Sequence, residues 1–321
     1  MSFFKPWENG NKAAAISETC KTRMKNENSK TKKLKKDMDQ KMENLGRLKI
    51  SIFNNELDEF VTIFSKIKNV QLREVNELNK NINIDSKAVV EIKNHTIEAV
   101  DIGKALLAGT AAGGFAGFAA LGSVTAFGAA STGTAIAGLS GAAASNALLA
   151  WFGGGALAAG GYGMAGGAFV VGGVFAAPAL IIAPFVWDKI GTKKLEDAKK
   201  MEAQVKKAVG ELHVAQNLIA AILQRSELLI NTIEHCKNNF EEFLILLNEL
   251  VENEKDFNNY SQEEKLFVGN TILMAKLLMN IIEMPVVNEQ GKLARNKKSI
   301  NASLKEIDNL ANDSSTIVKA A

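Results

Sequence analysis

The sequence lacks charge over an unusually long stretch. From Ala105 to Trp187, 83 consecutive residues include no Asp, Glu, Lys, Arg or His, and Gly and Ala supply 45 of them. Charged residues border the stretch at Lys104 and Asp188. Because about 20 apolar residues already cross a bilayer, the stretch is too long for one core helix or strand. It predicts a helical hairpin that enters a membrane or is held in reserve for doing so.

Cysteine and the common catalytic motifs are also scarce. The two cysteines, Cys20 and Cys236, lie far apart without metal-ligand spacing, which argues against a disulfide framework. No G-x-x-x-x-G-K-S/T, G-x-S-x-G or H-E-x-x-H motif occurs. His235 adjoins Cys236, but neighbouring helical side chains diverge, so we expect structural roles for both. We expect a non-enzymatic protein without cofactor or metal. The N-terminus also lacks the apolar run of a secretory signal.

The net charge of +3 is too small to indicate a nucleic-acid partner by itself, but one segment is basic. Between Lys21 and Lys41 there are nine Lys or Arg residues and three acidic ones. This run fits either a solvated helix face or a site for phosphates, as in lipid headgroups or a nucleotide-like ligand. It lacks aromatic residues for base stacking, and we expect no specific recognition of duplex nucleic acid. The candidate ligand or anionic-surface residues are Arg23, Lys25, Lys32, Lys33, Lys35 and Lys36.

The two charged arms around the uncharged centre have helical periodicity, and we see no strand signal, so the sequence predicts an all-α fold with coiled-coil-like arms. We expect residues 1–20 to be irregular, a helix from about Lys30 to Asn79, a polar break and a second helix from Ser86 toward Lys104. The first of these helices has a seam with 4-3-4-3 spacing, formed by Phe53, Leu57, Phe60, Phe64 and Ile67.

The C-terminal arm is predicted to begin with a long amphipathic helix near Lys193. Its apolar residues recur every three, four or seven positions, so another helix must cover them, and the N-terminal seam is the obvious partner. Ser261 and Glu264 form a capping-box pattern that opens a further helix, which Pro285 stops. A last helix is predicted from Ile300 to Val318. The seam of the long helix comprises Val205, Val209, Leu212, Ile219, Ile222, Leu229, Ile233, Phe240, Leu244, Leu247 and Val251.

Three regions follow: an N-terminal helical arm (1–101), a glycine-zipper hydrophobic hairpin (102–187) and a C-terminal helical bundle arm (188–321). Glycines at three- or four-residue spacing leave smooth helix faces on which partner helices approach closely. The many glycines also lower the intrinsic stability of each helix on its own. This favours a segment that inserts on a trigger and is stabilised in an oligomer over a permanent membrane anchor. The helix-packing candidates are Gly109, Gly113, Gly117, Gly138, Gly141, Gly163 and Gly167.

The distribution of charge also predicts how the charge-free segment is oriented in the membrane. Lysines flank the centre at both ends, so the positive-inside tendency keeps both arms in the cytoplasm and requires an even number of crossings. No charged side chain is available to line a pore, which indicates a hydrated leak with little charge selection. The pore-lining candidates are Thr134, Ser140, Ser145 and Asn146. We expect membrane lipid as a partner and a homo-oligomer, located either at the bacterial inner membrane with both arms cytoplasmic or in the cytoplasm until triggered.

The segment Leu139–Gly167 (LSGAAASNALLAWFGGGALAAGGYGMAGG) resembles the glycine-rich signature of bacterial helical membrane effectors, which carry a hydrophobic hairpin between charged helical arms. It is similar to the channel-forming effectors of anti-phage defence, such as that of the Hailong system. The resemblance implies an oligomeric effector that depolarises its own cell during infection. It also implies control by a nucleotide or oligonucleotide regulator made by a partner enzyme, for which the Lys21–Lys41 run is the first place to look.

The sequence therefore favours an oligomeric pore-forming membrane effector of anti-phage defence. The alternative is a non-enzymatic helical scaffold whose Gly/Ala-rich hairpin is buried in a protein assembly.

Overall fold

The computed structural model describes residues 5–79, 83–85, 87–108, 195–287 and 293–320. Within these ranges the chain is helical and forms no strand, which confirms the all-α prediction. The helices are α1 (Lys5–Ile52), continued by a π-helix (Phe53–Leu57) and α2 (Asp58–Phe64), then α3 (Leu72–Leu78), α4 (Ala88–Ala108), α5 (Leu195–Asn253), a 3-10 turn (Phe257–Asn259), α6 (Gln262–Ile282) and α7 (Lys297–Ala320).

The continuous helix from α1 to α2 packs against α5, and the two run parallel. Lys41 pairs with Glu227, and further along Lys66 pairs with Glu252, with the same sequence separation of 186 residues. Since the separation stays constant over 25 residues, both helices advance in the same direction and stay in register. The predicted pairing of the two apolar seams is confirmed, and every predicted seam residue of α5 is buried.

α6 turns back along α5 after a short connection. The predicted capping box is present: the Glu264 amide donates to the Ser261 hydroxyl (3.1 Å), and the Ser261 amide donates to the Glu264 carboxylate (2.7 Å). The helix ends at Ile282, shortly before Pro285. α7 then runs alongside α5, since Asn296, just before α7, contacts Arg225, and Asp308 contacts His235.

α4 runs in the same direction as α6. Near its beginning Ile84 packs against Gly269, and later His95 contacts Glu283. Because α6 is antiparallel to α5, and α5 is parallel to α1, α4 points toward the end of the bundle at which α1 and α5 begin. α4, which leads into the charge-free segment, therefore ends toward the same end of the bundle at which α5, which follows that segment, begins.

This arrangement divides the described chain into a head and a stalk. The stalk comprises α1 residues 5–36 and α5 residues 195–222, and the head comprises the other described residues. Most of the core lies in the head. Within the described residues the stalk is a parallel pair of helices. A separate apolar cluster joins them, and it contains Cys20, Met24, Met201, Val205, Val209 and Leu212.

Two sequence expectations about the N-terminal arm are wrong. Residues 5–20 are helical rather than irregular, because Pro6 occupies the first turn, where no intrahelical amide bond is lost, and Gly10 lies within the helix in open space. The arm also breaks after Phe64, and α3 forms a separate short helix. α3 packs so closely on α6 that a Cβ placed on Gly269 would lie 2.4 Å from Val75 Cγ1.

α6 is long and apolar enough to cross a membrane by length and composition, and it is the one such helix among the described residues. However, 72% of its most apolar window is buried inside the bundle. Its apolar residues face α3, α5 and α7, so its hydrophobicity is explained by its position in the head core.

Candidate functional site

The predicted helix-packing and pore-lining residues lie outside the described part of the chain. These are Gly109, Gly113, Gly117, Gly138, Gly141, Gly163, Gly167, Thr134, Ser140, Ser145 and Asn146. The structure instead describes the helices on either side, and there it places two groups of polar side chains. One group lies beneath α4 in the head, and the other follows the stalk.

A polar cluster fixes the middle of α4 to the head. His95 Nδ1 lies 2.7 Å from Glu283 Oε1, at the end of α6. The next residue, Met284, accepts a hydrogen bond through its carbonyl oxygen from Lys49 Nζ of α1 at 3.0 Å. Residues of α1, α4 and the end of α6 thus meet in one polar cluster. Since α4 leads into the charge-free segment, this cluster is one of the points at which the head holds that segment's first flank.

Lys49 is fully buried, with 0% of its surface exposed. Burial lowers the pKa of its amine from 10.5 to about 7, and the neighbouring Glu283 carboxylate opposes that change. The physical cause is desolvation, which penalises the charged ammonium in an apolar interior. The amine of Lys49 is therefore held where burial disfavours its charged form.

α4 also packs on the π-helix, which interrupts the long N-terminal helix. Wide turns of this kind are rare and often occur at functional positions. On its α5 side Glu56 is 6% exposed and lies 3.3 Å from Lys237 Nζ. Lys237 is closer to Glu241, at 2.6 Å, and the hydrogen bonds that it donates, first to Glu241 and then to Glu56, raise the pKa of Lys237. The wide turn thus presents Phe53 and Leu57 to the core, while at its edge one oxygen of Glu56 contacts Lys237 and the other has no hydrogen-bond partner among the described residues.

The six predicted basic ligand residues lie on α1 but do not form one site. At 100° per residue, Lys25, Lys32 and Lys36 share one flank with Lys21, which is also exposed. Arg23 lies on the opposite flank of the buried seam. Lys33 is exposed on a third side and points away from α5, whereas Lys35 is partly buried and pairs with Asp39 at 2.8 Å. We call Lys21, Lys25, Lys32 and Lys36 the lysine row.

A shallow groove of about 460 Å³ lies along this row. Its lining includes Lys21, Met24, Lys25, Asn28, Ser29 and Lys32. The Asn28 side-chain oxygen is buried there and has no hydrogen-bond partner among the described residues. A second shallow groove, of about 670 Å³, lies on the other flank around Thr19, Arg23 and Asn26.

A polar layer separates the apolar cluster of the stalk from the core of the head. Gln216 Nε2 donates to Glu27 Oε2 and to Thr31 Oγ1, each at 2.9 Å. His213 Nε2 lies 3.3 Å from the same carboxylate. The Gln216 amide, and then His213, lower the pKa of Glu27. A buried polar layer within an apolar seam specifies register, and this layer fixes the alignment of α1 with α5.

The remaining histidine and the cysteines have structural surroundings. His235 Nε2 contacts Asp308 at 2.9 Å on the surface. Cys236 is buried against Met274, and desolvation raises its pKa to about 12. The two side chains point to different neighbours, as expected. No group of three or more potential metal ligands occurs within the described ranges.

Sequence reasoning missed Lys49, although a signal was present. Met42, Leu45, Lys49 and Ile52 have 3-4-3 spacing, so the lysine stands at a seam position. The partners of Lys49 come from distant segments, and no local pattern predicts them.

No family model, curated protein or solved structure matches the chain.

Proposed function

We propose that this protein is a pore-forming membrane effector whose charge-free segment, Ala105–Trp187, inserts as a helical hairpin. After oligomerisation the hairpins let ions leak across the bacterial inner membrane and depolarise the cell. By the resemblance of Leu139–Gly167, the leak serves anti-phage defence under the control of a nucleotide or oligonucleotide regulator from a partner enzyme. The chain performs no catalysis in this scheme.

The observation that carries the proposal is that α4 ends, and α5 begins, toward the same end of the bundle. α4 leads into the charge-free segment and points toward the stalk end of the bundle, and α5, which follows that segment, begins at the stalk end and runs antiparallel to α4. A hairpin that crosses a membrane an even number of times returns to the side from which it entered, and this geometry suits such a path. The same sequence in a single crossing would need its flanks on opposite sides.

The distribution of charge supports the same orientation. The α1 part of the stalk, residues 5–36, has ten Lys or Arg residues and three Glu, whereas residues 195–222 are balanced with four of each sign. Residues 37–108 and 223–321 together have 21 basic and 27 acidic residues. The positive end of the molecule is thus the end that the flanks of the hairpin face. Positive charge next to inserted segments favours the cytoplasmic side.

Dye release from liposomes tests the proposal. The wild-type chain is expected to empty vesicles, whereas Gly113→Leu with Gly117→Leu abolishes release because bulky side chains keep the hairpin helices apart. The matched control is Gly10→Leu with Gly210→Leu, since a Cβ at either glycine meets no atom within 4 Å. This control is expected to leak like the wild type. A wild-type protein that neither leaks dye nor lowers the membrane potential of expressing cells would support a scaffold role instead.

A further inference from the structure

The lysine row is an unneutralised cationic strip. All four side chains are exposed, and none forms an ion pair with a described residue. Three other lysines of α1 are paired: Lys12 with Glu8, Lys35 with Asp39 and Lys41 with Glu227. At 1.5 Å per residue the row extends for about 22 Å along one flank of the stalk. Like charges held in line at such spacing favour an extended anionic partner.

Measured along the stalk, the row lies between the end of α4 at Ala108 and the beginning of α5 at Leu195. With the constant register of α1 and α5, Leu195 is level with about residue 9 of α1. His95 is level with Lys49 through Glu283 and Met284, and Ala108 lies about 20 Å farther along α4, level with about residue 36. The two points are thus separated by about 40 Å along the stalk, and the row occupies the interval.

This separation constrains how the stalk meets a membrane. Both ends of an inserted hairpin reach the same membrane surface. If the stalk stood upright on its end, the charge-free residues after Ala108 would have to cross about 40 Å of water to reach that surface, which is unfavourable for apolar side chains. The stalk therefore inclines toward the membrane, and one of its flanks approaches the headgroups.

The chemistry of the strip suits a surface rather than a base-reading cleft. The groove beside it is shallow, and its lining of Lys, Met, Asn and Ser includes no aromatic side chain on which a nucleobase would stack. Lysine is a flexible point charge that binds phosphates without demanding one geometry.

We infer that the lysine row is a docking surface for an anionic phospholipid membrane, on which the stalk lies while the adjoining hairpin enters the bilayer. This inference rests on the proposed function, because the inclination of the stalk follows from hairpin insertion. Lys21, Lys25, Lys32 and Lys36 contact lipid phosphates, and the polar layer keeps α1 aligned with α5 so that the four charges stay in one row.

Flotation of the full chain with liposomes tests the inference. Neutral phosphatidylcholine vesicles are compared with vesicles that also contain about 30% phosphatidylglycerol. A lysine near an anionic membrane raises the partition constant about fivefold. Replacing all four lysines of the row by alanine is expected to reduce binding to anionic vesicles at least about 100-fold while binding to neutral vesicles is unchanged.

The control variant replaces four exposed head lysines, Lys255, Lys297, Lys298 and Lys305, by alanine. It has the same net charge as the row variant and is expected to retain anionic preference. The inference is overturned if the row variant keeps that preference, or if wild type binds both vesicles equally. It is also overturned if a single-stranded oligonucleotide or inorganic phosphate, but not the anionic vesicle, binds in a row-dependent manner. Failure of wild type to bind any vesicle would contradict the proposed function itself.

Discussion

Replacing Lys49 by methionine removes the buried amine from the polar cluster that holds the middle of α4. In the folded chain desolvation lowers the pKa of this amine from 10.5 to about 7, which corresponds to about 5 kcal/mol. Methionine fills similar volume without a charge, but it leaves the Met284 carbonyl without its 3.0 Å partner. Since apolar replacements of buried charges are often stabilising by about 1–4 kcal/mol, we expect Lys49→Met to stabilise the fold at pH 6.

The sign of the pH dependence follows from linkage. Below pH 7 the lysine is charged in both states, and the folded state carries the full desolvation cost. Between pH 7 and 10.5 the folded state has released the proton while the unfolded chain still holds it, so wild-type stability rises with pH. The advantage of Lys49→Met should therefore shrink by about 3 kcal/mol between pH 6 and pH 9.5.

Thermal unfolding of the full chain, followed by circular dichroism at 222 nm at pH 6, 7.5 and 9.5, measures this effect. At about 2–4 °C per kcal/mol, the Tm difference between variant and wild type should fall by roughly 6–12 °C across the range. Lys93→Met, at an exposed position of α4, is the control and should show a constant difference. A Lys49→Met advantage that does not change with pH would refute the reasoning.

Other predictions concern packing and alignment. Gly210→Ala should raise the free energy of unfolding by about 0.5–1 kcal/mol, because a Cβ there meets no atom within 4 Å and alanine favours the helix. Gly269→Ala should lower both the free energy of unfolding and the Tm, because its Cβ would clash with Val75 of α3. A higher Tm for Gly269→Ala than for Gly210→Ala would contradict the packing. Cysteines at Lys41 and Glu227 should be joined by a short bis-maleimide, whereas cysteines at Lys41 and Glu252 should not, since these positions are about 37 Å apart along parallel helices. Efficient linking of the second pair on a denaturing gel would exclude the parallel register.

The partnership of α1 with α5 could be predicted because heptad spacing identifies residues that must be covered. The parallel direction of the two helices could not be predicted, because an apolar seam has the same spacing whichever way the helix runs. Direction depends on the path of α4 and on contacts such as Lys66 with Glu252, which join residues 186 positions apart. The capping box of α6 was predictable, because its two partners are three residues apart.

The polar cluster beneath α4 was not predictable from local patterns. Lys49, His95 and Glu283 come from three separate segments, and their meeting depends on the packing of α1, α4 and α6. The basic run of α1 could be recognised in the sequence, but assigning its residues to different faces of the helix required knowing which face is buried against α5. Once Met24 and Thr31 are known to face α5, the helical period assigns each lysine to its side.

Side-specific labelling tests the central claim most directly. Single cysteines at Asn94 of α4 and Asn217 of α5, both exposed positions, are placed in the full chain bound to sealed membrane vesicles and treated with an impermeant maleimide. The native cysteines are buried and contribute little background. We predict that both flanks react from the same side of the membrane. Reaction of the two flanks from opposite sides, or failure of the chain to associate with vesicles, would contradict insertion of the intervening segment as a hairpin.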